Sequence, residues 1–382
     1  MNSYYHWVGS WTSPPAPSQV GIGFKNQTLR VMPRVSIGGD LVRIRISNAY
    51  GMQNLDIGGV SVGLRDRNAS IIEGSEKKVV FGGENQIRIA AGAVVVSDAV
   101  RLSVSPLSDL SVSVYLPGEI TTSFKITGRY ARQTNYISPP GNFLTSVHMP
   151  VSKITDEWFF VCGIDVVASR NTGGVVALGD SLTDGNISTH DSYNRWPDQL
   201  ARRLIARKNG RVVGVMNQGL GGNRILHDIR GDSGLRRFDR DVLAQPGVTH
   251  VIVMLGTNDL RNRFGGSKQE VTAKLMIAGI RQMAIRAQSH SIKFIGATLT
   301  PFGNETFLPD AWNPKRERHR VALNEWIRKT GELDGVVDFD AALRDPNCPN
   351  QMLPIYDCGD GLHPSDLGYG RMGDEIDLSL LD

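Results

Sequence analysis

The sequence predicts two structural parts of different class, an all-β sandwich followed by a doubly wound α/β domain. Short segments of alternating apolar and polar residues, separated by glycine-rich breaks, fill the first part of the chain. Apolar segments that alternate with helix-like segments fill the second part. Many short strands separated by turns are typical of antiparallel sandwiches, whereas strands alternating with helices indicate a parallel sheet covered on both faces. We expect the two domains to span residues 1–170 and 171–382.

Alternation is clearest in three segments of the first part. They are Leu41–Ser47, Val100–Val104 and Leu110–Leu116. Glycine pairs between such segments mark turns, at residues 38–39, 58–59 and 82–83. Because an antiparallel strand often packs one face on the core and leaves the other in water, this alternation predicts strands.

Five apolar segments of the second part predict parallel strands. They are Val175–Leu178, Val212–Met216, Val251–Leu255, Phe294–Leu299 and Val336–Phe339. The predicted helices are Trp196–Ile205 after a candidate N-cap at Asn194, Glu270–Ala287, Lys315–Lys329 and Leu367–Leu381. Ligands of such sheets bind outside the carboxyl ends of the strands, so functional residues are expected directly after the strands.

The bulk composition fits a soluble globular protein and disfavours a nucleic-acid partner. Hydrophobic residues make up 40% of the 382 residues and charged residues 21%. The 42 basic and 38 acidic side chains leave a net charge of only +4. No stretch approaches the ~20 apolar residues of a membrane span. The N-terminus lacks the pattern of a signal peptide, so we expect a cytoplasmic protein, or a secreted one if a leader has been removed.

The cysteines and histidines do not form a recognisable metal or cofactor motif. Cys162 lies in an apolar segment and is expected in the core. Cys348 and Cys358 are ten residues apart and either bridge or stay free. Because neither C-x-x-C nor H-E-x-x-H spacing occurs, no metal and no organic cofactor are expected. The oligomeric state stays open.

A serine follows the first predicted parallel strand in the stretch VVALGDSLTDG, residues 175–185. Gly-Asp-Ser is common in turns, and a second copy at residues 231–233 follows Arg230 rather than an apolar strand, which predicts an ordinary loop. Ser181 instead stands at the end of a buried strand. We predict that Ser181 is a nucleophile.

A serine hydroxyl needs a neighbouring base that takes its proton during attack on an ester. His363 is the candidate because Asp360 precedes it by three residues in a glycine-containing loop, where the carboxylate can reach Nδ1. His190, beside Asp191, is the rival base, but adjacent side chains usually point apart. The predicted triad is therefore Ser181, Asp360 and His363.

Four motifs follow strands in the order of a known family. They are GDSL at residues 179–182, NQGLGGN at 217–223, GTND at 256–259 and DGLH at 360–363. Together they resemble the blocks of the SGNH hydrolases, the GDSL-type esterases and lipases, over residues 175–380. The resemblance implies a flavodoxin-like sheet and ester hydrolysis. With its β-rich first part, the chain also resembles two-domain carbohydrate esterases that carry a jelly-roll-like domain.

The resemblance also implies an oxyanion hole. Its three donors in the family fall here on the backbone N–H of Ser181, the backbone N–H of Gly222 and the side-chain amide of Asn258. Glycine suits this position because a residue without Cβ lets its N–H approach the substrate closely, and Gly221 is the alternative one position away. Asp180 is expected to brace the loop of the nucleophile through backbone N–H groups.

The substrate is predicted only by class. Segment Thr300–Asn313 follows the fourth parallel strand and carries Phe302, Phe307 and Trp312, which either form a substrate wall or pack the segment onto the protein. Tyr356, shortly before the DGLH motif, is a further candidate for the pocket. Because no long apolar lid is apparent, short-chain carboxylic esters are favoured, including acetyl groups on carbohydrates.

Two alternative functions stay open. One is a catalytically weak carbohydrate-binding protein in which the β domain is the working part, although the complete set of nucleophile, base and acid disfavours it. The other is a lipase or lysophospholipase that acts on longer acyl chains. The expected partner is a small-molecule or carbohydrate ester, and the β domain is either a binding module or a structural wall.

Overall fold

Antiparallel sheets form the first part of the chain and a parallel sheet forms the second. The structure is a computed structural model that describes residues 5–125, 131–262, 266–308 and 310–382. The chain divides into two units, Met1–Thr172 and Gly173–Asp382.

The first unit contains strands that pair only in antiparallel fashion within the described residues. They are β1 (Trp7–Thr12), β2 (Ala16–Val31), β3 (Gly39–Ser47), β4 (Leu55–Ile57), β5 (Gly59–Leu64), β6 (Lys77–Val79), β7 (Ile87–Ile89), β8 (Val94–Val96), β9 (Val100–Val104), β10 (Leu110–Lys125), β11 (Asn135–Pro140), β12 (Lys153–Thr155) and β13 (Val161–Val167). One sheet has the order β1-β13-β3-β8, with β9 also on β3, and a second has the order β12-β11-β2-β10-β5-β6. Strands β4 and β7 form a separate pair.

The two larger sheets of this unit share one hydrophobic core. Ile44 and Ile46 of β3 lie in the same buried cluster as Val112 and Val114 of β10. Two sheets that face one core form a sandwich, so the all-β prediction for the first part is confirmed. The jelly-roll-like connectivity stays a prediction.

The second unit is built on a parallel sheet. Its strands are β14 (Gly173–Gly179), β15 (Val213–Gly219), β16 (Val248–Met254), β17 (Lys293–Ala297) and β18 (Gly335–Val337). The sheet order is β15-β14-β16-β17-β18, and every pairing is parallel. This is the flavodoxin-like order, in which the second strand lies outside the first, so the predicted doubly wound sheet is confirmed.

Helices of the second unit alternate with its strands. They are α1 (Ser181–Asp184), α2 (Trp196–Ala206), α3 (Gly234–Phe238), α4 (Thr257–Arg261), α5 (Ala273–Ser289), α6 (Pro314–Lys329), α7 (Phe339–Leu343) and α8 (Asp366–Glu375). Helix α5 packs Met276, Ile280 and Met283 into the same core as Val251 and Val253 of β16. None of the helices in the described part of the chain combines the length and apolarity that a membrane crossing requires.

One predicted N-cap and two predicted helix ends differ from the structure. Helix α2 starts at Trp196 as predicted, but its N-cap is Arg195 rather than Asn194, because the Arg195 N–H donates to the Asp198 carboxylate while the Asn194 amide donates to Asp366. Helix α5 starts at Ala273 rather than Glu270, since Thr272 accepts the N–H of its first turn as an N-cap. The last helix ends at Glu375, and Leu378–Leu381 forms a separate 3-10 turn.

The strand register brings the predicted functional loops to one edge of the sheet. Gly179, the last residue of β14, pairs with Gly219 of β15 and with Met254 of β16. The three strands therefore end level. Between β14 and β16 the strand order reverses, and this switch point is where open α/β sheets bind their ligands.

A glycine at the end of β15 allows the chain to pass directly beneath the turn that carries Ser181. A Cβ on Gly219 would lie 2.1 Å from the backbone nitrogen of Asp184, at the end of α1. By contrast, a Cβ on Gly370, inside α8, would meet nothing within 4 Å.

We therefore predict opposite effects for two alanine substitutions. Gly219→Ala should lower the free energy of unfolding by about 1–3 kcal/mol, because backbone must move to relieve the overlap. Gly370→Ala should raise it by about 0.5–1 kcal/mol, because alanine loses less backbone entropy in a helix. Chemical denaturation of both variants measures the difference, and an unchanged Gly219→Ala would contradict the close packing of α1 on β15.

Candidate active site

Ser181 is the first residue of α1, directly behind the carboxyl end of β14. Asp180 caps this helix, because its side chain accepts the N–H of Leu182 at 3.0 Å. The turn is tight, since a Cβ on Gly179 would lie 2.0 Å from Thr183 Oγ1. After a single turn, Gly185 ends the helix in the left-handed region with φ of 86°. The serine is thereby held at the sheet edge in a short and well-defined turn.

Three of the sequence-predicted residues are hydrogen-bonded in a chain. Ser181 Oγ lies 3.0 Å from Nε2 of His363, and Nδ1 of the same ring lies 2.8 Å from Oδ2 of Asp360. The other carboxylate oxygen of Asp360 accepts the backbone N–H of His363 at 2.7 Å. The imidazole is 4% exposed. The carboxylate thus fixes both the ring and the backbone of the histidine.

The charge state of Asp360 determines which ring nitrogen of His363 carries a proton. Burial alone would raise the pKa of Asp360, but hydrogen bonds from the His363 ring and from the N–H groups of His363 and Leu362 lower this pKa to about 2. The carboxylate is therefore ionised at neutral pH and can only accept. Nδ1 must donate to it, which leaves Nε2 free to accept the Ser181 hydroxyl proton.

The loop that carries Asp360 and His363 is held by backbone contacts. The carboxylate of Asp357 accepts the N–H groups of Gly359 at 2.8 Å and Gly361 at 3.1 Å. Gly361 has φ of 71°, and a Cβ there would lie 2.2 Å from the carbonyl oxygen of Asn304. Only glycine therefore fits this turn, which packs against the segment behind β17.

Rival residues lie in other surroundings. His190 Nδ1 is 3.1 Å from Asp191, and both side chains are 39% exposed. The second Gly-Asp-Ser precedes α3, and the Ser233 N–H donates to Asp228. A G-x-S-x-G pentapeptide at residues 59–63 lies within β5 of the first unit, where Ser61 donates to a carbonyl, rather than on a strand-to-helix turn.

The predicted oxyanion donors lie behind β14, β15 and β16. Among the described residues, no acceptor binds the backbone N–H of Ser181 or of Gly222. Gly222 has φ of 80°, a conformation that favours glycine. Asn258 lies in the first turn of α4 and donates from Nδ2 to Oδ2 of Asp180 at 3.0 Å. One Nδ2 hydrogen is used by this bond, and the other has no acceptor among the described residues.

Asp180 is more than a brace for its own loop. It is 1% exposed, and its two oxygens accept from Leu182 and from Asn258. Burial raises the pKa of Asp180 to about 6, although these hydrogen bonds and the electrostatic effect of the nearby His363 and Arg261 oppose that rise. Burial likewise raises the pKa of Asp259 to about 6.

Sequence reasoning missed a buried arginine that ties two strand ends together. Arg237 of α3 is fully buried and donates to the carbonyls of Gly179 and Gln218, each at 2.8 Å. Its Nε donates to Asn223 at 2.9 Å, and Asp241 neutralises its charge. Arg237 thus fixes the ends of β14 and β15, which lead to Ser181 and Gly222. No periodic pattern distinguishes it from an exposed helical arginine.

Sequence reasoning also missed Asn186, which lies beside His363. Its Nδ2 lies 3.4 Å from Nε2 of His363, on the same nitrogen as Ser181 Oγ. The backbone carbonyl oxygen of Asn186 accepts a hydrogen bond from the hydroxyl of Tyr369 at 2.7 Å, and Tyr369 is fully buried. The sequence position of Asn186, five residues after Ser181, could have indicated this placement, because the single turn of α1 brings the following residues back toward the serine side chain.

The predicted substrate aromatics fall into different surroundings. Phe302 is fully buried in the core of the second unit, which favours packing over a substrate wall. Trp312 packs partly on the same core and donates to Glu317. The role of the partly exposed Tyr356 stays a prediction. Phe307 instead is 54% exposed, with its ring edge-on to His363 at a centroid distance of 5.9 Å.

Among the described residues, one group of acidic and cysteine side chains has the spacing of metal ligands. No disulfide joins the three cysteines, of which Cys162 is buried and Cys348 is exposed. Burial, followed by the charge of Asp360, raises the pKa of Cys358 to about 12. The grouping of Asp357, Cys358 and Asp360 is engaged in the loop described above, where both carboxylates accept hydrogen bonds.

The second unit matches a known protein family in sequence. Residues 177–371, just over half of the chain, match the sequence model of the GDSL-like Lipase/Acylhydrolase family. A solved G-D-S-L family protein from Desulfitobacterium hafniense DCB-2 is 26% identical, over 53% of this chain and 96% of that chain, with a TM-score of 0.40. A carbohydrate acetylesterase from Sinorhizobium meliloti is 19% identical, over 53% and 94% of the two chains, with a TM-score of 0.41. No curated protein matches the sequence significantly.

We predict that Asp180→Asn separates stability from activity. Asparagine can still accept the Leu182 N–H, but its Nδ2 would then face Nδ2 of Asn258, so the amide of Asn258 is misoriented. Loss of one oxyanion donor lowers kcat by about 10²–10³, which sets the upper limit of the effect.

The stability effect of Asp180→Asn depends on pH. Burial raises the pKa of Asp180 from 3.8 to about 6 in the folded protein, so the wild type loses stability as pH rises through this interval. Neutral asparagine does not titrate. The melting temperature of the variant minus that of the wild type should therefore become more positive between about pH 4 and pH 7. An equal difference at both pH values would contradict a titrating Asp180.

Proposed function

Because the chain belongs to the GDSL-like lipase/acylhydrolase family and is a carboxylic ester hydrolase, we propose that it is a serine esterase that cleaves short-chain esters through an acyl-enzyme intermediate. The hydrogen-bonded chain from Ser181 through His363 to Asp360 carries the proposal. Its order and its distances are those that nucleophile activation requires.

In the first half-reaction, Ser181 Oγ attacks the ester carbonyl carbon while Nε2 of His363 accepts its proton. Asp360 stabilises the imidazolium through the Nδ1–H bond. The tetrahedral intermediate carries its negative charge on the former carbonyl oxygen. When it collapses, the C–O bond to the alcohol breaks, and Nε2–H protonates the leaving alcohol. An ester between the acyl group and Ser181 remains.

In the second half-reaction, water takes the place of the alcohol. Nε2 of His363 removes a proton from the water as its oxygen attacks the acyl carbon. Collapse of the second tetrahedral intermediate returns the proton to Ser181 Oγ and releases the carboxylic acid. The reaction consumes only the ester and one water molecule, and the enzyme returns to its starting protonation state.

The oxyanion of both intermediates is proposed to bind three N–H donors. The backbone N–H groups of Ser181 and Gly222 lack protein acceptors in the described chain, and Asn258 retains one amide hydrogen. Donors fixed before the reaction stabilise the developing charge without reorganisation. The bonds from Asp180 to Asn258 and from Arg237 to the strand ends support such fixed positions.

The preference for short acyl groups is proposed because the sequence shows no long apolar lid. The ring of Phe307 stands edge-on to His363, and this residue is 54% exposed. An exposed ring beside the base offers an apolar contact to an acetyl, butyryl or small aryl group. Acetyl groups on carbohydrates belong to the same class.

The nucleophile is tested by a pair of serine variants. Ser181→Ala should lower kcat/KM for p-nitrophenyl acetate by about 10⁴-fold or more, because it removes the attacking atom. Ser233→Ala is the matched control from the second Gly-Asp-Ser and should retain full activity. Substantial turnover by folded Ser181→Ala would refute the mechanism.

The acyl preference is tested by a series of p-nitrophenyl esters from acetate to palmitate. We expect kcat/KM to be highest for acetate or butyrate and to fall for longer chains. A maximum at octanoate or longer would instead support a lipase that acts on long acyl chains. Acetylated xylan oligosaccharides then test the carbohydrate class, with released acetate as the readout.

A further inference from the structure

The amide of Asn258 is held at both ends. Nδ2 donates to Asp180, and Oδ1 accepts from Nη1 of Arg261 at 2.8 Å. The two residues are three positions apart in α4, so their side chains share one face of the helix. Because a guanidinium only donates, it fixes Oδ1 on its own side and thereby determines where the amide hydrogens point.

Arg261 is held in turn by a carboxylate from a distant part of the chain. Its Nε donates to Oε2 of Glu305 at 2.7 Å, and its Nη2 donates to Oε1. The side chains of Arg261 and Glu305 are 6% and 1% exposed. Forked pairs of this kind define geometry as well as charge. Replacing a buried ion pair by apolar residues of similar volume is often neutral for stability, so the geometry of this pair is its more informative feature.

Glu305 lies in the segment behind β17, and the next two residues contact the other half of the site. The backbone N–H of Thr306 donates to the carbonyl oxygen of Asp360 at 2.9 Å. The ring of Phe307 stands edge-on to the imidazole of His363, with an angle of 80° between the planes. Three consecutive residues therefore contact different parts of the site. Glu305 binds Arg261, Thr306 binds the backbone of Asp360, and Phe307 packs against the ring of His363.

We propose that Glu305 is a positioning residue that couples the oxyanion amide to the Asp–His pair. Through Arg261 it orients Asn258, and through the adjacent residues Thr306 and Phe307 it fixes the same segment against Asp360 and His363. The three residues 305–307, which we name the coupling segment, set the separation between the oxyanion donor and the base. The inference rests on the proposed esterase function.

Glu305→Gln is the first test. Glutamine keeps the size of the side chain but loses the charge and one acceptor oxygen of the fork, so Arg261 and the Asn258 amide become less well oriented. We expect kcat for p-nitrophenyl acetate to fall by about 10-fold to 10²-fold, below the full loss of an oxyanion donor. KM should change less than twofold, since ground-state contacts remain.

Phenylboronic acid provides a readout that a merely structural role would not move. It forms a tetrahedral adduct with an active-site serine, in which one oxygen occupies the position of the oxyanion. Its inhibition constant should rise by the same factor by which kcat/KM falls. The pH dependence of kcat/KM should keep its shape, because the Asp360–His363 bond is retained.

A double variant removes the concern that Glu305→Gln leaves a buried cation unpaired. Arg261→Met with Glu305→Met replaces the ion pair by apolar side chains of similar length, a change that is often neutral for stability. We expect near-normal melting with the same loss of kcat and of boronate affinity. Glu332→Gln is the matched control, because it breaks the half-exposed Arg281–Glu332 pair outside the site and should change neither value.

The possible outcomes separate the two proposals. A folded double variant with wild-type kcat and boronate affinity would overturn the role of Glu305 while leaving the esterase proposal intact. A rise in KM alone would also overturn it, since that assigns Glu305 to substrate binding. If the wild type neither hydrolyses esters nor binds the boronate, the esterase proposal itself fails, and with it this inference.

Discussion

The hydrogen bond between Ser181 Oγ and His363 Nε2 is 3.0 Å long and joins residues that are 182 positions apart in the chain. The architecture of the second unit brings these two residues together. The serine depends on the end of β14, whereas the histidine depends on a loop behind the last strand. A parallel sheet brings these ends to one edge, because every strand runs in the same direction. The level ending of β14, β15 and β16 then gathers the donors of the proposed oxyanion hole around the serine.

This edge holds several buried ionisable side chains. Asp180, Asp259 and Arg237 are each 1% exposed or less, and burial raises the pKa of both carboxyl groups to about 6. Each of these groups holds a loop of the site: Asp180 holds Asn258, Asp259 accepts N–H groups behind β15, and Arg237 binds the strand ends. Burying such groups carries a desolvation penalty, and in the proposed mechanism they hold the oxyanion donors in place before a substrate arrives.

Sequence patterns were sufficient to predict those features of the fold that depend on the order of residues within short segments. The five parallel strands and the sandwich class followed from apolar runs and alternation. Motif position indicated that Ser181, His363 and Asp360 lie together, as their hydrogen bonds show. Long-range contacts were not accessible in the same way. Arg236 and Arg237 are neighbours of identical type, yet their side chains are 66% and 0% exposed. Likewise, Phe302 is buried, whereas the ring of Phe307 contacts His363. The path of the segment behind β17 determines which ring faces the site, and the composition of the segment does not reveal that path.

The central claim is that Ser181 is activated by His363, and covalent labelling tests it most directly. A fluorophosphonate reacts with a serine whose hydroxyl is deprotonated by a neighbouring base, and it forms a stable adduct that mass spectrometry locates in the sequence. The account predicts one adduct per chain, on Ser181, and a strongly reduced rate of labelling in His363→Ala. An adduct on another serine, or ester hydrolysis that continues in fully labelled protein, would contradict it.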